Sequence, residues 1–240
     1  MKYLVTISYD GSKYYGFQRL NDLPSVQKEL EDALSVINKD RVEVKGSGRT
    51  DRGVHAFGQR CSFKLNYDIQ CDRLINAINS LLSNYIRVLN CIRVDDNFHA
   101  RFNVKQKTYK YVINMGKYDV IKEDYLYNYC KKLDVKNMKR ASKYLLGKHS
   151  YKVFVSGDRE NYISEIYSIS FKKYKDILEI KLVGKSFYRY MVRNIVGALM
   201  LVGSGKIDVE EFKGMIDDEN NEYSYLTVPA NGLYLESVEY

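Results

Sequence analysis

The 240-residue sequence contains no tryptophan, only two prolines, and four cysteines that form no C-x-x-C pair. The cysteines do not cluster with the three histidines, whereas a structural zinc site needs such ligands at close spacing. A disulfide framework is implausible in a long chain without a secretion signal. No apolar run reaches the length of a membrane span, and the start of the chain lacks the apolar core of a signal peptide. We therefore expect a cytoplasmic protein with no metal site and no membrane segment.

Positive charge is in excess, with 38 lysines and arginines against 30 aspartates and glutamates and a formal net charge of +8. Such an excess favours a polyanionic partner, above all nucleic acid, although it also fits a basic protein that is merely soluble. The 23 tyrosines strengthen the first interpretation, because tyrosine offers a flat face for bases and a hydroxyl for phosphates. Compositional drift is the alternative explanation of the tyrosines.

The order of predicted elements indicates an α+β fold. Alternating apolar residues predict strands at 2–10, 41–45 and 86–94, and a further strand follows the glycine-rich segment 46–56. Two segments with an apolar stripe at helical spacing separate these strands. The resulting order, strand-helix-strand-strand-helix-strand, is that of the ferredoxin-like or RRM-like βαββαβ fold.

The second half of the chain repeats this order without repeating the sequence. It predicts a strand, a helix, a hairpin, a strongly apolar helix and a closing strand, at 108–115, 135–146, 163–183, 190–202 and 233–238. We expect two ferredoxin-like halves, an N-terminal half at 1–102 and a C-terminal half at 103–240. No Pro-rich linker separates them, so we expect the halves to share a mixed, mainly antiparallel sheet.

The segment 46–56, GSGRTDRGVHA, is the most distinctive stretch of the sequence. It holds one carboxylate, Asp51, between the guanidiniums of Arg49 and Arg52. In the simplest interpretation Asp51 hydrogen-bonds its own backbone in an Asx-turn. If the chain is extended there, Arg49 and Asp51 face the same way, and a cation beside a carboxylate keeps it ionised. An ionised carboxylate in such a loop is a candidate nucleophile, and a structural ion pair with Arg49 is the alternative.

Two other stretches combine aromatic and basic residues. In KQKTYKYVI, Tyr109 alternates with Lys110 and is either a stacking platform for a base or an ordinary cross-strand aromatic. In GKSFYRYMVRNIVG, Arg189 and Arg193 are four residues apart, which predicts that they share one face at the start of a helix. Such a pair is either a solvated helix face or part of a site near the sheet.

Six motifs together resemble the TruA family of tRNA pseudouridine synthases. The run GRTDRGVHAFGQ is similar to the family signature GRTDAGVHA, and YDGSKYYGFQR precedes it as the family's first motif does. FHARFNVKQKTYKYVI, GKHSYKVF and GKSFYRYMVRNIVG follow in the family's order, and NGLYLESVEY resembles its C-terminal strand. The resemblance spans the whole chain.

The resemblance implies a cofactor-free and metal-free isomerase that converts uridine to pseudouridine in the anticodon stem-loop of tRNA. It implies that Asp51 is the nucleophile, that Arg49 pairs with Asp51 and fills the stack vacated by the flipped base, and that Tyr109 stacks on the uracil and takes part in proton removal. It also implies that Arg193 pairs with Asp51 and that Leu233 packs against the base. The further predicted substrate-binding residues are Arg52, His55, Arg189 and Lys110. Family members are homodimers, so we expect a homodimer in which tRNA contacts both subunits.

Arg52 departs from the family pattern, which has a small alanine beside the nucleophile. Arg52 is a candidate for binding an RNA phosphate or for changing which uridine reaches the site. Two other classes of protein stay open at this point. A non-catalytic RNA-binding factor would use the same two RRM-like halves, although no RNP-like aromatic strand motif is evident. A metabolic enzyme for a small phosphorylated ligand would use the glycine-rich loop, but the spacing matches neither a P-loop nor a dinucleotide fingerprint.

Overall fold

A computed structural model describes residues 1–217 and 227–240. The chain divides into two compact units: the first unit comprises Met1–Lys105 and Tyr234–Tyr240, and the second unit comprises Gln106–Leu233. The predicted halves, 1–102 and 103–240, stay a prediction, because these two units are defined by compactness alone.

The secondary-structure elements follow the predicted order. The N-terminal elements are β1 (Lys2–Tyr9), α1 (Val26–Asn38), β2 (Lys45–Gly46), β3 (His55–Lys64), α2 (Cys71–Leu81) and β4 (Ile86–Arg93). They are followed by β5 (Gln106–Asn114), β6 (Tyr127–Asn128), α3 (Val135–Ala141), β7 (Gly147–Ser150), β8 (Ile163–Tyr174), β9 (Ile177–Gly184), α4 (Met191–Gly203), α5 (Val209–Asp217) and β10 (Leu233–Glu239). All of β10 except Leu233 belongs to the first unit.

The sheet of the first unit has the ferredoxin-like strand order. Strand β1 lies between β4 and β3 and is antiparallel to both. Strand β2 is antiparallel to β3, with Lys45 opposite Ser62, and β10 is parallel to β3, with Tyr234 opposite His55. Both of these strands therefore border β3, at opposite ends of it.

Strand β2 is shorter than the predicted strand at 41–45. Val42 and Val44 are buried as expected, but their backbone N–H groups bond to side chains of α1 instead of a neighbouring strand. Val42 donates to Ser35 Oγ at 3.0 Å, and Val44 donates to Glu31 Oε1 at 3.0 Å. These side-chain acceptors satisfy the backbone, so the alternating pattern there does not build a sheet ladder.

Strand β3 has a buried face with one exception, at Phe57. Cys61, Phe63 and Leu65 are buried, and burial raises the pKa of the Cys61 thiol. Phe57, which alternation along the strand would place on the same face, is 49% exposed. Its ring stacks on Tyr234 at a centroid distance of 5.1 Å, so the neighbouring strand β10 provides its packing.

The second unit contains a mainly antiparallel sheet in the order β5-β9-β8-β7, with β6 parallel to β5. Helix α4 is buried along nearly its whole length, and only Arg193 and Leu201 are partly exposed. The predicted helix at 135–146 is α-helical only to Ala141 and then tightens into a 3-10 turn at Ser142–Leu145. Among the described helices, none is both long and apolar enough to cross a membrane.

The predicted fold class, α+β with mixed and mainly antiparallel strand pairing, is confirmed. The hydrophobic patterns predicted the elements because α1, α2 and α5 each bury one stripe, α4 is apolar along nearly its whole length, and β9 alternates strictly between buried and partly exposed residues.

Candidate active site

The segment 46–56 forms a closed turn that carries Asp51 at its start. Val54 N donates to Asp51 O at 3.2 Å, which closes the turn over Arg52 and Gly53. Gly53 has φ of +80°, a conformation that glycine adopts without steric cost. Asp51 is partly exposed, and Arg52 is exposed beside it. The turn therefore presents a carboxylate at the surface immediately before β3.

Buried polar contacts hold the segment 46–56 against strands β1 and β3. Ser47 Oγ donates to Gln59 Oε1 at 2.6 Å, and Gln59 Nε2 donates to Gly48 O at 3.1 Å. The Thr50 and Tyr9 hydroxyls lie 2.8 Å apart in a buried hydrogen bond. Since Ser47, Gln59 and Thr50 are all buried, the residues on both sides of the turn are anchored to β3 and β1.

A second loop, the 10–17 segment, lies directly against this turn. Phe17 N donates to Thr50 O at 3.1 Å. A side chain on Gly16 would place its Cβ 2.9 Å from Thr50 O, and one on Gly11 would place its Cβ 2.1 Å from Val54 O. Real Cβ atoms do not approach backbone this closely, so the contact between the two loops requires glycine at both positions.

His55 links the same two loops from inside the unit. The ring is 3% exposed; its Nδ1 accepts from Gly11 N at 3.1 Å and lies 3.3 Å from Asp10 Oδ1. The ring also stacks on Tyr234 at a centroid distance of 4.8 Å. These contacts anchor the start of β3, whereas the predicted contact of His55 with substrate stays a prediction.

The basic residues around Asp51 occupy different settings. Arg52 places its guanidinium carbon 4.2 Å from the ring centroid of Tyr15, a cation–π contact. Arg49 is exposed, and no ion pair joins it to Asp51 among the described side chains. The turn begins after Asp51, so the prediction that Arg49 and Asp51 face the same way stays a prediction. Their pairing with tRNA present stays a prediction.

In the second unit, Tyr109 lies on β5 and is 8% exposed. Its ring meets Phe187 edge to face at a centroid distance of 5.2 Å. Lys110, the next residue, is partly exposed. Two residues beyond Tyr109 along β5, the Tyr111 hydroxyl donates to Pro229 O at 2.6 Å. Burial raises the pKa of Tyr111, while the nearby positive charge of Arg193 acts in the opposite direction.

Arg189 and Arg193 do not share a helix face, which corrects the prediction. Helix α4 begins at Met191, and the residue before it, Tyr190, has φ of +62°. This left-handed residue breaks the helical path between the two arginines. Both guanidiniums nevertheless lie near the Tyr190 ring, with carbon-to-centroid distances of 4.7 Å for Arg189 and 5.1 Å for Arg193.

Contacts with Arg193 and Tyr111 hold the segment 228–232, which leads into Leu233. Arg193 Nε donates to Val228 O at 2.7 Å. The segment then forms a 3-10 turn at Ala230–Gly232, where Gly232 approaches the Tyr111 ring too closely for a Cβ. Leu233 follows this turn and is 5% exposed. The structure thus places Arg49, Asp51, Arg52 and His55 in the first unit and Lys110, Tyr109, Arg189, Arg193 and Leu233 in the second.

The contact between the 10–17 segment and the turn was not predicted. The run YDGSKYYGFQR resembles the family's first motif and indicates a turn-rich loop, but it indicates no particular neighbour. The described residues contain no group of three histidine, cysteine, aspartate or glutamate side chains arranged to hold a metal ion.

The fold and the loop define an α+β protein with a partly exposed acidic residue on a braced turn. Residues 5–103 and 141–240 match the sequence profile of a family described as tRNA pseudouridine synthase. The chain therefore belongs to the tRNA pseudouridine synthase family, and the predicted enzyme class, an isomerase, is confirmed.

Individual relatives align with this chain over nearly their whole length. The chain is 39% identical to tRNA pseudouridine synthase A of Bacillus subtilis over 245 aligned positions, covering 100% of this chain and 99% of the relative. It is 36% identical to the protein of the same name from Finegoldia magna, with 98% of each chain covered. A solved Cbf5-Nop10-Gar1 complex is a distant likeness, with 9% identity and a TM-score of 0.39 and with 82% of this chain and 44% of that chain covered.

Replacing Gly11 by alanine tests the contact between the 10–17 segment and the turn. We expect Gly11→Ala to lower the free energy of unfolding by about 1–3 kcal/mol, since the new Cβ would displace the Val54 backbone. We also expect a lower rate of pseudouridine formation in tRNA, because the displaced backbone carries Asp51. Urea unfolding and a single-turnover assay measure the two effects.

Gly214→Ala is the matched control, because Gly214 lies within α5 and a methyl group there would meet no atom within 4 Å beyond the helix's own backbone. The same added methyl group should at this position leave activity unchanged and raise stability by about 0.5–1 kcal/mol. Equal unfolding midpoints for both variants would show that the loop contact contributes nothing.

Proposed function

We propose that the protein isomerises uridine to pseudouridine in the anticodon stem-loop of tRNA, with Asp51 as the nucleophile. The observation that carries the proposal is the braced turn itself: a partly exposed carboxylate whose backbone is held by Thr50, Val54 and the 10–17 segment. A nucleophile that is fixed before substrate arrives loses little freedom on reaching its reactive position. Family membership supports the reaction class, and the position of Asp51 in the family signature supports its role.

The proposed reaction is balanced without a cofactor. The bond from ribose C1′ to uracil N1 breaks, the base rotates, and a bond forms from C1′ to uracil C5. The hydrogen on C5 leaves as a proton, and N1 gains one. Asp51 either attacks C1′, as a carboxylate does in retaining glycosidases, and is displaced when C5 bonds to C1′, or it adds to the uracil ring and is eliminated before the product leaves.

Residues of the second unit supply the remaining proposed roles. Tyr109 would stack on the uracil and take part in removing the C5 proton, and its edge contact with Phe187 holds the ring orientation. Arg193 would keep Asp51 ionised, because a nearby guanidinium favours the charged carboxylate. Leu233 would pack against the detached base, which must stay bound while it rotates.

The target base must leave its stack before it can react, at a cost of a few kcal/mol. We propose that Arg49 fills the vacated position, and that basic side chains offset the cost through phosphate contacts. Arg52, Arg189 and Lys110 are the proposed substrate-binding cations, and His55 supports substrate binding by holding the loop. Since tRNA is the substrate, we place the activity in the cytoplasm.

Replacing Asp51 by asparagine or alanine is the direct test. We expect either variant to lose roughly 1,000-fold or more in the single-turnover rate, because no carboxylate remains to attack. Binding of tRNA should persist, since the cations are intact. Asp22→Asn, which removes an exposed carboxylate elsewhere on the first unit, serves as the control and should keep the wild-type rate.

A wild-type rate in the Asp51 variants would exclude Asp51 as the nucleophile. If the wild-type protein binds tRNA but leaves every uridine unchanged, a non-catalytic RNA-binding factor is the correct interpretation. If it modifies a uridine outside the anticodon stem-loop, the chain is a paralogue with a different target.

Replacing Arg52 tests whether this residue influences which uridine is modified. Arg52 is exposed and its guanidinium lies over the Tyr15 ring, which leaves the N–H groups at the edge of the guanidinium to bind an acceptor. We expect Arg52→Ala to weaken tRNA binding several-fold and to change the relative modification of neighbouring uridines. Nucleotide-resolution mapping of pseudouridine measures this pattern, with Arg41→Ala as an exposed-arginine control. An unaltered pattern together with unaltered affinity would remove Arg52 from the site.

The protein is proposed to act as a homodimer in which each tRNA contacts both subunits. Sedimentation equilibrium should give twice the 28.1 kDa mass of one chain at micromolar concentration. A particle with the mass of a single chain that retains full activity would contradict this part of the proposal.

A further inference from the structure

Arg159 lies in a stretch of the second unit that none of the family motifs includes. It is exposed, and its guanidinium carbon lies 5.1 Å from the centroid of the Tyr188 ring. The Tyr188 hydroxyl donates to Ile163 O at 2.8 Å, so the ring that supports Arg159 is itself fixed to β8. A surface arginine thus has a defined position without help from a carboxylate.

The residues next to Tyr188 repeat this arrangement. Arg189 and Arg193 both lie within about 5 Å of the Tyr190 ring centroid, and Arg189 Nη2 donates to the Tyr190 hydroxyl at 3.0 Å. The left-handed backbone of Tyr190 is unusual for an aromatic residue, and such conformations concentrate at functional sites. We call four of these residues the Arg–Tyr cluster: Arg159, Tyr188, Arg189 and Tyr190.

The charges of the cluster are poorly balanced by its surroundings. Within residues 1–217 and 227–240, neither Arg159 nor Arg189 makes an ion pair with a carboxylate. The acidic neighbours of Arg159 in sequence, Asp158 and Glu160, are themselves exposed. Stacking on tyrosine occupies the faces of the two guanidiniums and leaves N–H groups at their edges for external acceptors.

We propose that the Arg–Tyr cluster binds the phosphate backbone of tRNA outside the reacting nucleotide, with Arg159 as a contact that the family motifs do not assign. The proposal rests on the proposed function in that tRNA is the ligand. A planar guanidinium matches the geometry of phosphate oxygens, and one already oriented by a ring loses less freedom when it binds. The alternative is that the stacks only stabilise the ends of β8 and α4.

The salt dependence of tRNA binding separates these two explanations. We expect Arg159→Ala to raise the Kd several-fold at low salt and to lower the slope of log K against log salt by roughly 0.7–0.9, the value for one lost phosphate contact. In the isomerisation assay KM should rise while kcat stays unchanged, because Arg159 is not proposed to touch the reacting atoms. An unchanged Kd and slope would overturn the proposal.

Tyr188→Leu tests the role of the ring, because it keeps the charge of Arg159 and removes its support. We expect weaker binding in this variant, whereas a net-charge effect alone would leave its affinity at the wild-type value. Arg41→Ala is the matched control, since Arg41 is an exposed arginine of the first unit away from the cluster in sequence. If Arg41→Ala reduces the slope as much as Arg159→Ala, the effect is one of total charge and the proposal fails.

Failure of this proposal is distinguishable from failure of the proposed nucleophile. The Asp51→Ala protein should still bind tRNA with the wild-type slope of log K against log salt. The double variant Asp51→Ala/Arg159→Ala should show a smaller slope. If Asp51→Ala remains active while Arg159→Ala binds weakly, the nucleophile assignment is wrong and the cluster stands. If Asp51→Ala is inactive while Arg159→Ala binds normally, the cluster is wrong and the nucleophile stands.

Discussion

The contact between the 10–17 segment and the turn at 50–54 is the constraint on which the candidate site of the first unit depends. Two backbones meet there with no side chain between them, at Gly11 and at Gly16. Phe17 N and Gly11 N each donate across the contact, and Tyr9 holds Thr50 from β1. Because these bonds are made by buried or backbone groups, the position of Asp51 is determined before any substrate binds.

In the second unit, aromatic rings hold arginine side chains in position. Arginine side chains are long and flexible, and ordering them at a surface costs side-chain entropy. Tyr188 and Tyr190 reduce that cost for Arg159, Arg189 and Arg193, and no carboxylate among the described residues pairs with Arg159 or Arg189. A carboxylate would also order a guanidinium, but it would cancel the charge that attracts a polyanion.

Local patterns predicted most of the elements and failed where long-range contacts decide the outcome. The alternation at 41–45 predicted a strand, yet Glu31 and Ser35 of α1 satisfy the backbone there. The spacing of Arg189 and Arg193 predicted one helix face, yet the helix begins only at Met191. Such competition between local preference and tertiary partners is invisible in a sequence window.

The sequence by itself determined the α+β class, the order of strands and helices, and the family, because hydrophobic periodicity and short motifs are local properties. It also singled out Asp51 among 30 acidic residues. Only the tertiary structure decided that glycines of the 10–17 segment brace that turn, that His55 is buried behind it, and that Arg159 rests on Tyr188. These contacts join residues that are distant in the chain, and folding alone brings them together.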